Sequence, residues 1–408
     1  MKNDKNGISR RTFFKTAGTA GLGAALSPML GNTDAQAASP AQAADVASVP
    51  TRTFGRSGIN VPILSLGGMF DIPSNQTLLK QAIRWGVTYW DTAHTYTGGR
   101  SEEGIGQYFS RYPEHRQKIF LVTKSTQREP KGLSRELETS LKRMQTDHVD
   151  LFFVHAIRNI KVMDNAIRDW AKAQKAAGKI RLMGFSTHAN MDDCLQGAAR
   201  LDWIDGIMLT YNFRLMHEAR MIAAVKACVD AGIGLTAMKT QGGGGVKTDS
   251  ARELELAGRF IQKGFTDKQA KLKAVWENPQ ISSLCSQMPT MSILMANVAA
   301  AVDRTSLTEN DHRHLHRYAS ETFSCYCAGC TQICENAISA KVPVGDVMRY
   351  LMYARCYGDT HDARDYFASI PAAVRRRLTH VDYREAEARC PRNLPIAQLM
   401  NEAVEELA

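Results

Sequence analysis

The feature that most constrains the fold of this chain is an alternation of short apolar runs with amphipathic stretches between residues 51 and 303. Eight runs have the length and the β-branched or aromatic content of buried strands, at 63–66, 87–90, 119–123, 149–154, 180–185, 207–211, 234–237 and 281–285. Amphipathic stretches separate them, among them 133–144, 164–177 and 218–231. Eight strand–helix units in about 250 residues match one closed (β/α)8 barrel.

An open, doubly wound sheet is the alternative arrangement of such units. It requires a glycine-rich phosphate turn after the first strand, and Gly67-Gly68 is not followed by a G-x-G-x-x-G pattern. The barrel is therefore favoured, preceded by a short hairpin of 52–54 and 60–62. We predict an α/β protein with a (β/α)8 barrel over 51–303 and a mainly helical extension over 304–408.

Three successive predicted strands end in side chains that can carry a proton. Asp91 and Tyr96 follow the second strand, Lys124 follows the third and His155 follows the fourth. Because the carboxyl ends of all strands meet at one rim of a (β/α)8 barrel, we expect these four side chains to lie close together. The sequence therefore predicts a catalytic site at this rim.

These residue types suit proton transfer to or from a carbonyl oxygen. Tyrosine can supply the proton, but its ordinary pKa of about 10 makes it a weak acid at neutral pH. A nearby lysine ammonium lowers that pKa, an aspartate holds the lysine, and a histidine can hydrogen-bond the carbonyl. Each residue also has a structural interpretation, as a helix cap, packing residue or strand end. Four of them at consecutive strand ends favour catalysis.

Composition and charge limit the class of protein. The chain is 44% hydrophobic and 23% charged, which is ordinary for a globular protein. Its net charge is +10, but no run of Arg and Lys is interleaved with aromatic residues, so we expect no nucleic-acid partner. Nine cysteines in 408 residues are too few for a disulfide scaffold, and their clustering is the informative feature.

A cluster of cysteines marks the beginning of the extension. Cys327, Cys330 and Cys334 lie in one short stretch, and Cys390 lies far downstream, before a proline. The pattern is similar to that of ferredoxin-type motifs, with two departures: Cys325 and Cys327 are one residue too close, and Glu instead of Pro follows Cys334. We predict that Cys327, Cys330, Cys334 and Cys390 hold one 4Fe-4S cluster.

Other arrangements of these thiols remain open. Cys325 is the rival of Cys390 as the fourth ligand; we favour Cys390 because residues two apart in an extended chain point to opposite faces of it. Disulfides in an oxidising compartment or a zinc site are the alternatives to a cluster. Cys194, Cys228 and Cys285 lie in or beside barrel elements, where we expect buried apolar thiols.

The first 37 residues have the three parts of an export signal. The twin-arginine motif Ser9-Arg-Arg-Thr-Phe-Phe-Lys15 precedes an apolar glycine- and alanine-rich segment and the small-residue cleavage site Ala35-Gln-Ala37. The apolar segment is too short and too rich in glycine to predict a stable membrane span. We predict a signal peptide over 1–37, a linker over 38–50 and delivery to the periplasm by the twin-arginine export machinery.

Over about residues 51–303 the sequence resembles the aldo-keto reductases. The matching stretches are Asp91-Thr-Ala-His-Thr-Tyr96, Gly99-Arg-Ser-Glu-Glu-Gly104, Leu121-Val-Thr-Lys124, Ser140-Leu-Lys-Arg-Met144, Val149-Asp-Leu-Phe-Phe-Val-His155, Gly178-Lys-Ile-Arg-Leu-Met-Gly-Phe-Ser186 and Tyr211-Asn212. The resemblance implies an NAD(P)-dependent barrel. It also implies that Ser186 and Thr187 hold the nicotinamide carboxamide, with Tyr211 near the nicotinamide ring and Asn297 near the adenine.

The extension resembles the ferredoxin-like C-terminal extension of one branch of that family. We therefore hypothesise an exported oxidoreductase that uses NADP or NAD on a small carbonyl or alcohol substrate, with Tyr96 as the general acid/base. The alternative is a barrel with reduced catalysis that serves as an iron–sulfur electron-transfer or interaction module for a redox partner protein. Two departures from the family favour it: Met208 replaces the usual Gln, and residues 285–290 have no Lys or Arg for a 2′-phosphate.

Overall fold

The computed structural model describes residues 48–245 and 266–408. Eight parallel strands close into a barrel, preceded by an antiparallel hairpin of β1 (Thr51–Thr53) and β2 (Asn60–Pro62). The barrel strands are β3 (Leu64–Gly67), β4 (Tyr89–Asp91), β5 (Phe120–Ser125), β6 (Val149–Val154), β7 (Ile180–Thr187), β8 (Gly206–Thr210), β9 (Gly234–Met238) and β10 (Ser283–Gln287). Because β10 pairs with both β9 and β3, the sheet is closed; the predicted barrel is confirmed and the doubly wound sheet is excluded.

Phe54, just after β1, closes the amino-terminal mouth of the barrel. Its fully buried ring packs against Gly206 and Gly234, the first residues of β8 and β9. A Cβ on these glycines would lie 2.7 Å and 2.5 Å from atoms of the ring, so a side chain at either position would displace it. Apolar side chains such as Phe153 and Met208 fill the interior above it. A ligand can therefore approach the barrel only at the opposite, carboxyl-terminal mouth.

Helices cover the outside of the barrel and pack against the outward faces of its strands. They are α1 (Gln76–Arg84), α2 (Arg100–Arg111), α3 (Pro130–Met144), α4 (Asn165–Ala176), α5 (Met191–Ala198), α6 (Ala219–Asp230), α7 (Asp267–Trp276) and α8 (Met291–Val302). The three helical stretches predicted from periodicity correspond to α3, α4 and α6. In α3, the proline at the first helical position fits a helix start, and the buried positions Leu133, Leu137 and Leu141 form one apolar face.

The chain after α8 is helical in its described part. Its helices are α9 (Glu309–Glu321), α10 (Thr331–Cys334), α11 (Val344–Met352), α12 (Thr360–Ser369), α13 (Ala372–Arg375), α14 (Arg384–Arg389) and α15 (Ile396–Leu407). Helix α9 packs with Phe213 on the barrel, whereas the helices from α11 onward enclose an apolar core of their own. In the described ranges, no helix is both long enough and apolar enough to cross a membrane.

This C-terminal segment, residues 323–408, lies across the carboxyl-terminal mouth of the barrel. The amide of Asn190, after β7, donates to Gly329 O at 2.8 Å. Arg158, after β6, forms an ion pair with Glu335 at 3.0 Å. The segment therefore packs on the rim that carries the predicted catalytic residues. The predicted signal peptide at 1–37 and most of the predicted linker at 38–50 lie outside the described residues.

Candidate active site

Asp91, Tyr96 and Lys124 meet at the carboxyl-terminal mouth. Asp91 is the last residue of β4, and Lys124 lies near the end of the adjacent β5. Lys124 Nζ donates to Asp91 Oδ2 and to Thr92 O, both at 2.7 Å, and lies 3.4 Å from the Tyr96 hydroxyl. Asp91 and Lys124 are 2% and 1% exposed, so this ion pair is shielded from water. A shielded ammonium is thus held in contact with the phenol.

His155 completes the group at the end of the next strand. Its ring lies edge-on to the Tyr96 ring, with centroids 5.8 Å apart at 77°. Its backbone amide donates to Ser125 O at 2.8 Å, which anchors it to β5. Its Nδ1 is buried and has no hydrogen-bond partner among the described residues. Since an unpaired buried nitrogen is costly, this atom is suited to a bound ligand.

Burial determines the protonation states of the two proton carriers. It raises the pKa of Tyr96 well above its ordinary value, and the charge of Asp91 adds to this shift. Burial also lowers the pKa of His155 well below its ordinary value, and the charge of Lys124 lowers it further. Tyr96 is therefore a protonated phenol and His155 a neutral imidazole at neutral pH. The predicted lowering of this pKa by Lys124 stays a prediction; in this structure burial is the largest cause of the shift and acts in the opposite direction.

A cysteine that the sequence assigned only to packing contacts the same carboxylate. Cys285 Sγ, on β10, lies 3.7 Å from Asp91 Oδ2 as a hydrogen-bond donor. Burial raises the pKa of Asp91, while the charge of Lys124 acts to lower it. Asp91 Oδ1 is buried without a hydrogen-bond partner in the described part of the chain. Cys285 and Lys124 therefore share one carboxylate oxygen.

Strand alternation decides which predicted side chains face the barrel interior. On β5 the interior residues are Phe120 and Val122, so Lys124 also points inward. On β7, Leu182 is an interior residue. Ser186 is four residues later on the same strand, so its side chain also points into the barrel. Ser186 Oγ accepts from the amide of Ala156 at 2.9 Å and retains its own proton for a ligand.

The two remaining residues assigned to the nicotinamide point away from the interior. Thr187 alternates with Ser186, and its hydroxyl lies within hydrogen-bonding distance of Ile157 O and Ala189 O. Tyr211 is buried among the outer core residues, and its hydroxyl accepts from Asn278 Nδ2 at 2.8 Å. The structure directs neither side chain into the barrel interior, and their assignment to the nicotinamide stays a prediction.

Asn297, assigned to the adenine side, lies on α8. Its Nδ2 donates to Ser286 Oγ at 3.0 Å, next to the carboxyl end of β10. Met208, which replaces the glutamine expected from the resemblance, is buried in the barrel interior. Of the predicted nucleotide ligands, Ser186 lies near the end of β7 and Asn297 lies on α8 beside the end of β10, where a ligand at the mouth can meet them.

Lys239 is a residue at the mouth to which the sequence assigned no role. It follows β9 and has φ = 55°, a left-handed backbone that is uncommon outside glycine. Its Nζ lies 4.2 Å from the ring centroid of Tyr353 and 5.8 Å from that of Tyr357, both in a π-helical turn after α11. Its position in the sequence could have indicated a role, because Lys239, like Lys124, lies at the carboxyl end of a predicted barrel strand.

The predicted cluster ligands surround one pocket in the C-terminal segment. Cys327, Cys330, Cys334 and Cys390 all line this pocket of about 360 Å³. Cys325 does not line it and instead lies beside Gly244. None of the nine cysteines is in a disulfide in this structure. The pocket therefore gathers the favoured four thiols and leaves the rival thiol outside.

Three of these thiols are half-buried and that of Cys390 is buried. Burial raises the pKa of Cys330 to about 11 and that of Cys334 to about 12, and neighbouring acidic and thiol groups add to both shifts. In the described ranges, no three His, Cys, Asp or Glu side chains are arranged to hold a metal ion. In a cubane cluster each iron takes one thiolate, so four thiols surround the cluster and do not meet at a single ion.

Sequence comparisons identify the barrel. Residues 64–301 match the model of the Aldo/keto reductase family. The aldo-keto reductase yakc of Schizosaccharomyces pombe, whose name specifies NADP(+), is 30% identical over 202 residues, which cover 44% of this chain and 58% of yakc. The uncharacterized oxidoreductase YrpG of Bacillus subtilis is 26% identical over 278 residues, covering 61% of this chain and 81% of YrpG.

Solved structures agree with this fold. The thermostable aldo-keto reductase Tm1743, in complex with the inhibitor epalrestat, superposes with a TM-score of 0.55 at 24% identity, covering 66% of this chain and 99% of Tm1743. The holo form of aldo-keto reductase AKR11C1 from Bacillus halodurans gives a TM-score of 0.55 at 19% identity, covering 69% of this chain and 98% of that protein. With the closed barrel and the matched residues 64–301, the chain belongs to the aldo/keto reductase family of oxidoreductases.

Proposed function

We propose that this protein is an exported NAD(P)-dependent oxidoreductase that interconverts a carbonyl compound and its alcohol, with Tyr96 as the proton donor and acceptor. The observation that carries the proposal is the contact of the Lys124 ammonium with both Asp91, at 2.7 Å, and the Tyr96 hydroxyl, at 3.4 Å. The ammonium stabilises the phenolate that forms when Tyr96 gives up its proton. Asp91 holds the ammonium in place.

The residues at the mouth divide the work on the carbonyl group. His155, as a neutral imidazole, donates a hydrogen bond that orients the carbonyl oxygen, and Tyr96 then protonates that oxygen. A bound nicotinamide nucleotide, NADP or NAD, supplies the hydride. Ser186, through its free hydroxyl proton, and Asn297 would hold that nucleotide, whereas Thr187 and Tyr211 fit it poorly because their hydroxyls are engaged within the protein.

Replacing Tyr96 by Phe tests this function. We expect Tyr96→Phe to lower kcat for aldehyde reduction with NADPH by about 100-fold or more, because the proton donor is lost. Nucleotide binding, followed by fluorescence, should not change. Tyr112→Phe, at a tyrosine packed on α2 outside the mouth, is the matched control. Wild-type turnover in Tyr96→Phe would refute the role of Tyr96.

The cysteine pocket supports a second element of the proposal, a 4Fe-4S cluster held by Cys327, Cys330, Cys334 and Cys390. The chemistry of the donor set supports it: four thiols line a single pocket. The cluster would supply one-electron chemistry or brace the C-terminal segment. Iron and acid-labile sulfide assays on anaerobically purified protein test it, and fewer than about one of each per chain would contradict it.

The burial of Met208 and the engaged hydroxyls of Thr187 and Tyr211 favour a second candidate function. In it, the barrel has little turnover, and the protein is an electron-transfer or interaction module with a redox partner. Iron and sulfide without measurable nucleotide binding would support this candidate. The export proposal rests on the twin-arginine motif, and fractionation of cells that express Arg10→Lys/Arg11→Lys tests it; protein that still reached the periplasm would contradict it.

A further inference from the structure

A pocket of about 430 Å³ lies between the carboxyl ends of β7, β8 and β9 and the C-terminal segment. The barrel contributes His188, Thr210 and Lys239. Helix α11 contributes Met348, Arg349 and Met352, and the remaining lining is Gly243, Gly244, Gly245, Tyr326, Cys327, Ala328, Gly329 and Gly345. This space includes solvent at the open side of the pocket. We call it the rim pocket.

The rim pocket is positively charged. Among the residues that the structure describes, its lining includes the cations of Lys239 and Arg349 and no carboxylate. Burial lowers the pKa of His188 well below its ordinary value, and the charges of Arg349 and Lys239 lower it further, so His188 is neutral. Arg349 is paired with Asp346 of its own helix at 2.8 Å. Asp346 in turn pairs with Arg158, which also pairs with Glu335, so Arg349 belongs to a network of two cations and two carboxylates. Lys239 therefore supplies the positive charge of the pocket that this network does not balance.

Lys239 is held where its charge faces this pocket. Strand alternation on β9 places Thr236 and Met238 inward, so an extended residue 239 would point outward. The left-handed backbone at Lys239 breaks that alternation and returns the side chain to the mouth. In the described part of the chain, its ammonium contacts the rings of Tyr353 and Tyr357 and no carboxylate. The charge of Lys239 acts to lower the pKa of Asp359 and of Asp91, so both carboxyl groups lie within electrostatic range of the ammonium. A left-handed backbone that directs a cation into a pocket is typical of a ligand site.

The ammonium is also close to the catalytic residues. The charge of Lys239 contributes to lowering the pKa of His155, after burial and after the charges of Lys124, Arg349 and Arg128. His155 and Tyr96 lie with ring centroids 5.8 Å apart. Lys239 follows β9 and Asp91 ends β4, so the rim pocket and the catalytic residues lie at the same mouth of the barrel.

We propose that Lys239 and Arg349 bind an anionic group of the substrate, so that the preferred substrates are carbonyl acids. This inference rests on the proposed carbonyl–alcohol function. The methionines and Tyr326 beside the two cations suit a short apolar or aromatic body that joins the acid to the carbonyl. A carboxylate or phosphate of the substrate and the pyrophosphate of a nucleotide share this chemistry, and the experiment distinguishes the two sources.

The test compares two aldehydes that differ only in charge, 4-carboxybenzaldehyde and its methyl ester. We expect the wild type to reduce the acid with about 10-fold higher kcat/KM, the worth of one charged hydrogen bond. Lys239→Met should abolish this preference by raising KM for the acid, with little effect on the ester, and Lys239→Arg should retain it. The KM for NADPH should not change.

The inference would be overturned if the wild type reduced the ester as well as the acid, or if Lys239→Met kept the preference for the acid. It would also be overturned if the main defect of Lys239→Met were a raised KM for NADPH, because the cation would then bind the nucleotide. If neither aldehyde is reduced, the proposed function fails, and calorimetry with terephthalate then tests the subsite. Binding that is lost in Lys239→Met supports the subsite, and absence of binding to the wild type refutes it.

Discussion

The catalytic mouth and the cysteine pocket differ in how they are organised. At the mouth, Asp91 and Lys124 stand on adjacent strands and are already joined at 2.7 Å. In the pocket, Cys327, Cys330 and Cys334 come from one short stretch and Cys390 from the far end of the segment. Burial raises the pKa of the Cys330 and Cys334 thiols. The barrel thus builds one site by itself. The cysteine pocket brings together residues that are distant in the chain, and in the proposed cluster site a bound ligand would join them.

The largest effect should come from breaking the ion pair at the mouth. Lys124→Met leaves the Asp91 charge buried and unpaired, which should cost about 3–5 kcal/mol in the free energy of unfolding. Turnover should fall about 100-fold or more, because the ammonium no longer stabilises the phenolate of Tyr96. Urea unfolding and aldehyde reduction measure the two effects. The double variant Asp91→Asn/Lys124→Met should recover much of the stability and none of the activity; equal loss in both variants would contradict this account.

The matching change in the cysteine pocket should leave the barrel intact. Cys390→Ala should reduce bound iron from about four per chain to near zero, because one ligand of the cluster is missing. Far-UV circular dichroism of the barrel should persist, while the C-terminal segment becomes more sensitive to protease. Cys325→Ala is the control and should keep its iron. Loss of iron in Cys325→Ala but not in Cys390→Ala would support the rival ligand set.

Gly329 joins the two regions, and its replacement should affect both. A Cβ at Gly329 would lie 2.2 Å from His188 O, and its φ is 77°. We expect Gly329→Ala to cost about 3 kcal/mol, from the clash and the left-handed backbone together. Gly358 has φ = 73° with no atom within 4 Å of the added Cβ, so Gly358→Ala should cost only about 1 kcal/mol. If Gly329→Ala and Gly358→Ala lowered the free energy of unfolding in urea equally, the contact of Gly329 with His188 would contribute nothing to the cost.

The smallest effect concerns stability at low pH and belongs to the mouth. Burial lowers the pKa of His155 in the folded protein, whereas the unfolded chain takes up this proton below about pH 6.5. The unfolded state therefore gains stability as the pH falls, and the folded protein should lose about 2 kcal/mol through this residue between pH 7 and pH 5. His155→Gln should flatten the pH dependence of urea unfolding. His361→Gln, at a 90% exposed side chain, should leave the slope unchanged.

Much of the architecture was predicted correctly from the spacing of apolar residues in strands and helices. The eight barrel strands and the helices between them were recognisable because buried parallel strands are apolar throughout and their covering helices are apolar on one face. The positions of Asp91, Lys124 and His155 at strand ends followed from the same pattern, because a closed parallel barrel gathers these ends at one mouth. Local patterns of this kind need no knowledge of distant contacts.

The direction in which single side chains point was harder to predict from the sequence than the strands and helices. Tyr211 was assigned to the nicotinamide by resemblance, yet it alternates with the interior residue Met208 and joins the outer core. Lys239 was given no role, because one left-handed residue after β9, invisible in the sequence, turns its ammonium to the mouth. The alternation test could have corrected Tyr211. No sequence pattern gives the backbone angle at Lys239.

By itself, the sequence determined the barrel, the mouth at which its proton carriers meet and the stretch that supplies most of the clustered thiols. Only the tertiary structure decided that Cys390, and not Cys325, lines the cysteine pocket and that α11 lays Arg349 beside Lys239. It also decided the pKa of Tyr96, which burial raises even though a lysine lies beside it. The physical reason is common to all three: burial and long-range contacts arise from how the C-terminal segment packs on the barrel, and chain spacing does not encode that packing.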